Sequence, residues 1–341
     1  WQEPVARSSP RTSAAIPVRK LIDQVERMLS LPSAEFPAVS MAQVSDAQAR
    51  ERVHASVDAH IYTALQRLRD FLTDEYESQA RKQPGLNTTP GGDEAYELAI
   101  RMNTTVATSA DEVHRFGLED MAHIEAEKDE IARRLGKRDR AALAKALSED
   151  VANRPASREQ IVELAAQQTA RAFAAAPSWF GRLPSADCEV KAVEEYRERE
   201  VPPAFYMPPS MDGSRPGQYY INTYQPNERQ LHKIASITFH EATPGHHFQL
   251  AIEQELTGLP RFRTYGSRMA GAAYAEGWGL YCERLADEMG LYLSDEERFG
   301  ALDMQGFRAA RLIVDSGLHA FGWSRERAIE LMHERGSMPL V

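Results

Sequence analysis

Cysteine is almost absent: the 341 residues include only Cys188 and Cys282, far apart in the chain. That excludes a disulfide framework and any cysteine-built zinc site. It tilts the expectation towards a reducing compartment such as the cytoplasm, with the location itself left open. No apolar run reaches the ~18 residues of a membrane span, and no signal peptide is visible. The chain begins at Trp1 rather than Met, so the natural N-terminus is expected to be missing. Positive charge is not in excess either. Fifty acidic residues against 40 basic ones leave a net charge of -10, and nucleic acid is therefore not an expected partner. Low-complexity segments and internal repeats are lacking. With 43% hydrophobic and 26% charged residues, the chain has the composition of a globular protein with ample core material.

What is present is mostly helix. Residues 1–18 carry Ser, Thr and Pro without an apolar period and read as a flexible segment. Leu21, Ile22, Val25 and Met28 then fall at helix-face spacing. A long helix is expected over 45–82 from the stripe Val57, Ile61, Leu65, Leu68 and Leu72, with Pro84 and Gly85 ending it. A helix is expected over 93–102. Ser109 with Glu112 forms a capping box for another that runs to about 135, with Gly136 as its C-terminal stop. Two more follow, at 139–149 and 157–175, the second capped by Ser157. The texture changes at Pro177. Residues 187–196 and 218–224 read as strands, and the Pro-rich stretch between them as a shaped loop. Helices resume near 226. The fold class is therefore mostly α, with one small sheet. Within one continuous domain, a helical region over 19–176 forms one wall of a cleft and is followed by a sheet-plus-helix region over 177–341.

The chemistry concentrates in residues 234–254, IASITFHEATPGHHFQLAIEQ. Apolar residues flank a polar knot of His240, Glu241, His246 and His247. Burying imidazoles and a carboxylate without a partner is costly, and a bound cation removes that cost. Zinc is the usual partner of imidazole with carboxylate. The common short form is H-E-x-x-H, whose histidines share one helix face while the Glu activates water. Here His246 lies six residues after His240, about 120° off that face on an ideal helix. His247, seven residues on, is in line but about 10.5 Å away along the axis. Two nitrogens on one zinc can be at most about 4.2 Å apart. Either pairing therefore needs a broken helix, and Pro244-Gly245 supplies the break. His246 is the favoured ligand, with His247 as a neighbouring donor facing substrate; His247 remains the alternative ligand. Glu276, set among small and aromatic residues in AAYAEGWGLY, is the best candidate for a third ligand, with Glu283 behind it. One Zn2+ per chain is expected.

The combination of HEATPGHH, the upstream DGSRPGQYYIN and the downstream YAEGWGLY resembles the bacterial DUF885 family over residues 85–335. That family is similar to zinc metallopeptidases of the gluzincin type. Its HExxPGHH motif falls on His240, Glu241, Pro244, Gly245, His246 and His247, and its E-G-W motif on Glu276, Gly277 and Trp278. The resemblance implies a mostly helical, gluzincin-like fold with zinc held by two His and a Glu. Family members are usually longer at both ends, so truncation at both ends is expected.

The expected activity is hydrolysis of a small peptide or other amide, with Glu241 as general base. Over 304–321, Arg308, Asp315 and His319 share one helix face, bordered by Arg311. This assigns His319 to oxyanion stabilisation and Arg308 or Arg311 to a substrate carboxylate. In gluzincin-like enzymes an edge strand before the metal helix pairs with substrate, which would place Tyr220 and Asn222 in the cleft. The alternative is a catalytically incomplete, metal-stabilised helical scaffold. The oligomeric state is open.

Overall fold

The computed structural model describes residues 12–40, 46–195, 197–199, 201–266 and 272–336. Most of the expected flexible segment, residues 1–11, lies outside them. The described chain is mostly helical with one three-stranded sheet. Its internal contacts divide it into two compact units. One comprises the residues up to Tyr96 with Leu318–Arg325; the other comprises Glu97–Gly317 and the residues from Glu326.

In the first unit, α1 (Ala15–Ser30) starts earlier than the apolar period implies, because Pro17 is accommodated in its first turn. Val18 and Ile22 of α1 bury against Leu72. The expected single helix over 45–82 is interrupted. Helix α2 (Ala47–Ser56) passes through a π-turn at Val57–Ile61 into α3 (Tyr62–Asp70), and a second π-turn follows at Phe71–Tyr76. Each wider turn shifts the face that follows it. Val57 and Leu72 are consequently buried, whereas Ile61 and Leu68, on the same nominal stripe, are exposed.

The second unit holds the sequence knot. Helix α4 (Gly92–Thr104) crosses the boundary between units and leads to α5 (Ala110–Arg134). The Ser109–Glu112 capping box forms, and Gly136, at φ +70°, ends the helix where an L-residue would be strained. Helix α6 (Arg140–Glu149) and the Ser157-capped α7 (Arg158–Ala175) follow. The sheet comprises β1 (Cys188–Ala192), β2 (Ala204–Met207) and β3 (Gly217–Ile221), in the order β1-β3-β2. β1 runs parallel to β3 and β2 antiparallel to it. β2 lies in the stretch read as a loop. Its apolar run, Ala204 to Met207, is too short between prolines to show a period.

Helix α7 underlies both the sheet and the helix that follows it. Ile161 and Ala165 pack with Tyr206, Tyr219, Ile221 and Ile234. Further along, Ala172 meets Ala235, Phe239, Ala286 and Tyr292. The remaining elements are α8 (Ile234–Glu241), α9 (His246–Glu255), α10 (Arg261–Gly266), α11 (Ala273–Glu288), α12 (Asp295–His319) and α13 (Arg325–Glu334). Tyr219 and Phe239 are fully buried. Burial of a side chain of that size contributes about 1.5–3 kcal/mol, which helps to offset desolvation of the polar groups that α8 carries inward.

Candidate metal centre

The helix breaks where the sequence places Pro244-Gly245. α8 ends at Glu241. Ala242 (φ -98°, ψ -109°) and Gly245 (φ -72°, ψ -127°) are non-helical, the Thr243–Pro244 peptide is cis, and α9 starts at His246. Gly245 has no room for a Cβ, which would collide with the His240 carbonyl. The break leaves carbonyls without helical partners, and α11 satisfies them. Trp278 Nε1 donates to Pro244 O (2.9 Å) and Gly245 O (3.2 Å), and Cys282 Sγ donates to Pro244 O (3.3 Å). On the same helix, a Cβ at Gly279 would run into the His240 ring, so glycine lets α11 lie against the imidazole.

This geometry gathers the predicted ligands. The ring centroids of His240 and His246 are 4.7 Å apart. Glu276 reaches both: Oε2 lies 3.5 Å from His240 Nε2 and Oε1 lies 3.6 Å from His246 Nε2. Glu241 Oε2 is 4.0 Å from His246 Nε2, and ligand atoms of His240, Glu241 and His246 all fall within 4.8 Å of one another. Two nitrogens bound to one zinc are separated by at most about 4.2 Å, so a divalent cation here would draw these donors together. Imidazole and carboxylate are also the donor types zinc takes.

The electrostatics favour positive charge. Burial pulls the His240 pKa down, but the Glu276 and Glu283 carboxylates raise it to about 9. The His240 and His246 hydrogen bonds hold Glu276 far below the usual carboxylate range. Burial pushes Glu241 up, against the pull of both histidines. A raised carboxylate beside cation ligands suits a general base.

Behind the ligands, Glu283 is 2% exposed. It accepts from His240 Nδ1 (2.8 Å) and Ser236 Oγ (3.0 Å), and its backbone carbonyl accepts from Tyr292 OH (2.9 Å). Fixing Nδ1–H on Glu283 turns Nε2 towards the cluster. Ser236 was missed in the sequence, although its place four residues before His240 puts it on the same helix face.

Not every predicted residue joins the cluster. His247 is fully buried, shares a 2.8 Å hydrogen bond between Nδ1 and Tyr206 OH of β2, and has its pKa lowered to about 4 by burial. It braces α9 against the sheet rather than facing substrate. Tyr220 and Asn222 do not line a cleft, because β3 is the central strand rather than an edge. Tyr220 stacks on Phe205 at 4.9 Å, and Asn222 Nδ2 donates to the Glu198 carbonyl (2.6 Å). Arg308 reaches the cluster: Nη2 is 3.0 Å from His240 Nε2 and Nη1 is 3.1 Å from Glu276 Oε2. Arg311 is exposed and lies over the Phe307 ring at 5.7 Å. His319 belongs to the first unit, where Nδ1 accepts from the Leu86 N–H (3.2 Å) and the ring packs on Tyr96 at 5.3 Å.

The profile of the DUF885 family, described as a bacterial protein of unknown function, matches residues 4–340. No curated protein matches the chain. Among solved structures, a candidate lipoprotein from Colwellia psychrerythraea is similar, with a TM-score of 0.87 and 28% identity. The match covers 96% of this chain and 58% of that one. A candidate lipoprotein of unknown function from Shewanella oneidensis shares the fold at a TM-score of 0.70 and 18% identity, over 96% of this chain and 61% of the other. The chain thus spans about three fifths of the length of these two structures. No described helix is long and apolar enough to cross a membrane.

Proposed function

We propose that this chain, which belongs to the DUF885 family of bacterial proteins of unknown function, is a zinc-dependent hydrolase of peptide or other small amide bonds. The observation that carries the reading is the convergence of His240 Nε2, His246 Nε2 and the Glu276 carboxylate, with Glu241 beside them. His240, His246 and Glu276 would hold the zinc. Bound there, the ion supplies Lewis acidity, which polarises a carbonyl and brings the pKa of a water towards about 7.

The chain's own residues do the rest. Glu241, on the last turn of α8, takes the proton of the attacking water at a carboxylate oxygen and passes it to the leaving amine nitrogen. Glu283 keeps the His240 proton on Nδ1 and the Nε2 lone pair available. Trp278 and Cys282 hold the backbone break that turns His246 onto the His240 side.

The test is a peptide-library screen of the zinc-supplemented chain beside Glu241→Gln. Turnover lowered about 10²–10⁴-fold in the variant, with metal retained, supports the hydrolase. Bound metal without cleavage of any peptide or amide in the wild type would leave a metal-stabilised scaffold and end the hydrolase reading.

A further inference from the structure

Arg308 brings a guanidinium to the cluster. Its Nη1 donates to Glu276 Oε2 at 3.1 Å, and its Nη2 rests against the His240 ring, 3.0 Å from Nε2 and 3.4 Å from Nδ1. Nε2 and Oε2 are two of the atoms proposed as metal ligands, and a cation held by both would lie against the guanidinium, so the two positive charges contend for one place. Arginine normally matches a carboxylate with two parallel N–H bonds. Here Glu276 takes one N–H, and the second nitrogen lies against the His240 ring. The buried Nε has no hydrogen-bond partner among the described residues and lies 3.9 Å from Glu283 Oε1. Arg308 is therefore held mainly by the prospective metal ligands, with no dedicated carboxylate of its own.

We infer that Arg308 is a resident competitor of the metal: guanidinium and zinc contend for the place beside His240 and Glu276, and metal entry displaces the guanidinium. This rests on the zinc reading above and adds a role for a residue of this chain. Docked, Arg308 neutralises Glu276 and keeps the cradle assembled. Displaced, it offers free N–H donors beside the cluster, in the planar arrangement that suits a substrate carboxylate. Metal loading and readiness for an anionic substrate group would thus be coupled through one side chain. The apparent metal affinity is lowered by the fraction of time the guanidinium is docked, in the same way as any binding that must await a less populated conformation.

The test is zinc affinity, read by competition with a chromophoric chelator, for wild type, Arg308→Met and Arg308→Lys. Methionine keeps much of the stem and removes the charge. If the guanidinium is docked nine-tenths of the time, Arg308→Met binds zinc about tenfold more tightly. Arg308→Lys, a cation without the fork, falls between the two. Millimolar guanidinium chloride added to Arg308→Met weakens zinc binding back towards the wild-type value. Circular dichroism of each variant reports whether it has folded, and the lysine variant carries the comparison if methionine does not fold. Equal or weaker zinc binding in the folded variants, beside a wild type that takes zinc, would overturn the competition and leave the hydrolase reading standing. No zinc binding by wild type or variants would overturn both.

Discussion

Glu283→Gln isolates the part of the centre that touches no substrate. The carboxylate is 2% exposed and accepts from His240 Nδ1 at 2.8 Å and Ser236 Oγ at 3.0 Å. Glutamine keeps the shape but only one acceptor oxygen, so one donor faces an NH2 group. Tyr292 bonds the backbone carbonyl of residue 283, so that anchor survives the change. A hydrogen bond to a charged group contributes about 1.5–3 kcal/mol. Loss of a ligand's outer partner typically weakens metal binding about 10–100-fold, which is roughly 1.4–2.7 kcal/mol. The two estimates overlap, so zinc Kd should rise about 10–100-fold. Stability without metal should change less, because replacing a buried carboxylate by an amide also relieves several kcal/mol of desolvation. The assay pairs a chelator-competition titration with thermal melting in excess chelator. Unchanged zinc affinity would refute the reasoning. So would a loss that merely tracks a fall in the chelated melting temperature.

Three further outcomes follow from the geometry. His246→Ala should abolish zinc binding, whereas His247→Ala should retain it and lose about 1–3 kcal/mol of stability through the group left beside Tyr206; equilibrium dialysis and urea melts read both. Trp278→Phe removes the donor to Pro244 O and Gly245 O, so it should cost about 1 kcal/mol and weaken zinc binding, read by the same two assays. Asp303 sits between Lys128 and Lys233 (3.0 Å to the latter) and, despite its burial, their charges lower its pKa from 3.8 to about 2. Asp303→Asn should destabilise the fold by about 3–5 kcal/mol at neutral pH. The wild-type advantage is fully present above the ordinary carboxylate value and lost as pH falls through about 2, so the gap in urea midpoint between wild type and Asp303→Asn should be narrower at pH 3 than at pH 6.

The candidate metal centre was legible because its chemistry is local. Three His and a Glu within eight residues, interrupted by Pro-Gly, pointed to a cation site and to a broken helix. The structure supplies the break at that dipeptide. The choice between His246 and His247 was not fixed by spacing, because it depends on the path of the backbone through the break. Both begin α9, about 100° apart in direction; one reaches Glu276 and the other Tyr206. The strand order was hidden for a similar reason. Position before the metal helix says nothing of which strand lies at an edge, and the four residues of β2 show no period. His319 shares a nominal face with Arg308, but eleven residues of helix span about 16 Å, enough to carry it into the other unit, beside Leu86 and Tyr96. A shared face is not a shared site.

The central claim is that His240, His246 and Glu276 hold zinc while Glu241 does not. Zinc per chain, measured by elemental analysis after dialysis from excess zinc, tests it directly in wild type, Glu241→Gln and Glu276→Ala. The account predicts about one zinc in the wild type and in Glu241→Gln, as for a three-ligand catalytic site, and none in Glu276→Ala. Zinc lost from Glu241→Gln and kept in Glu276→Ala would contradict it, making Glu241 the ligand and removing the general base.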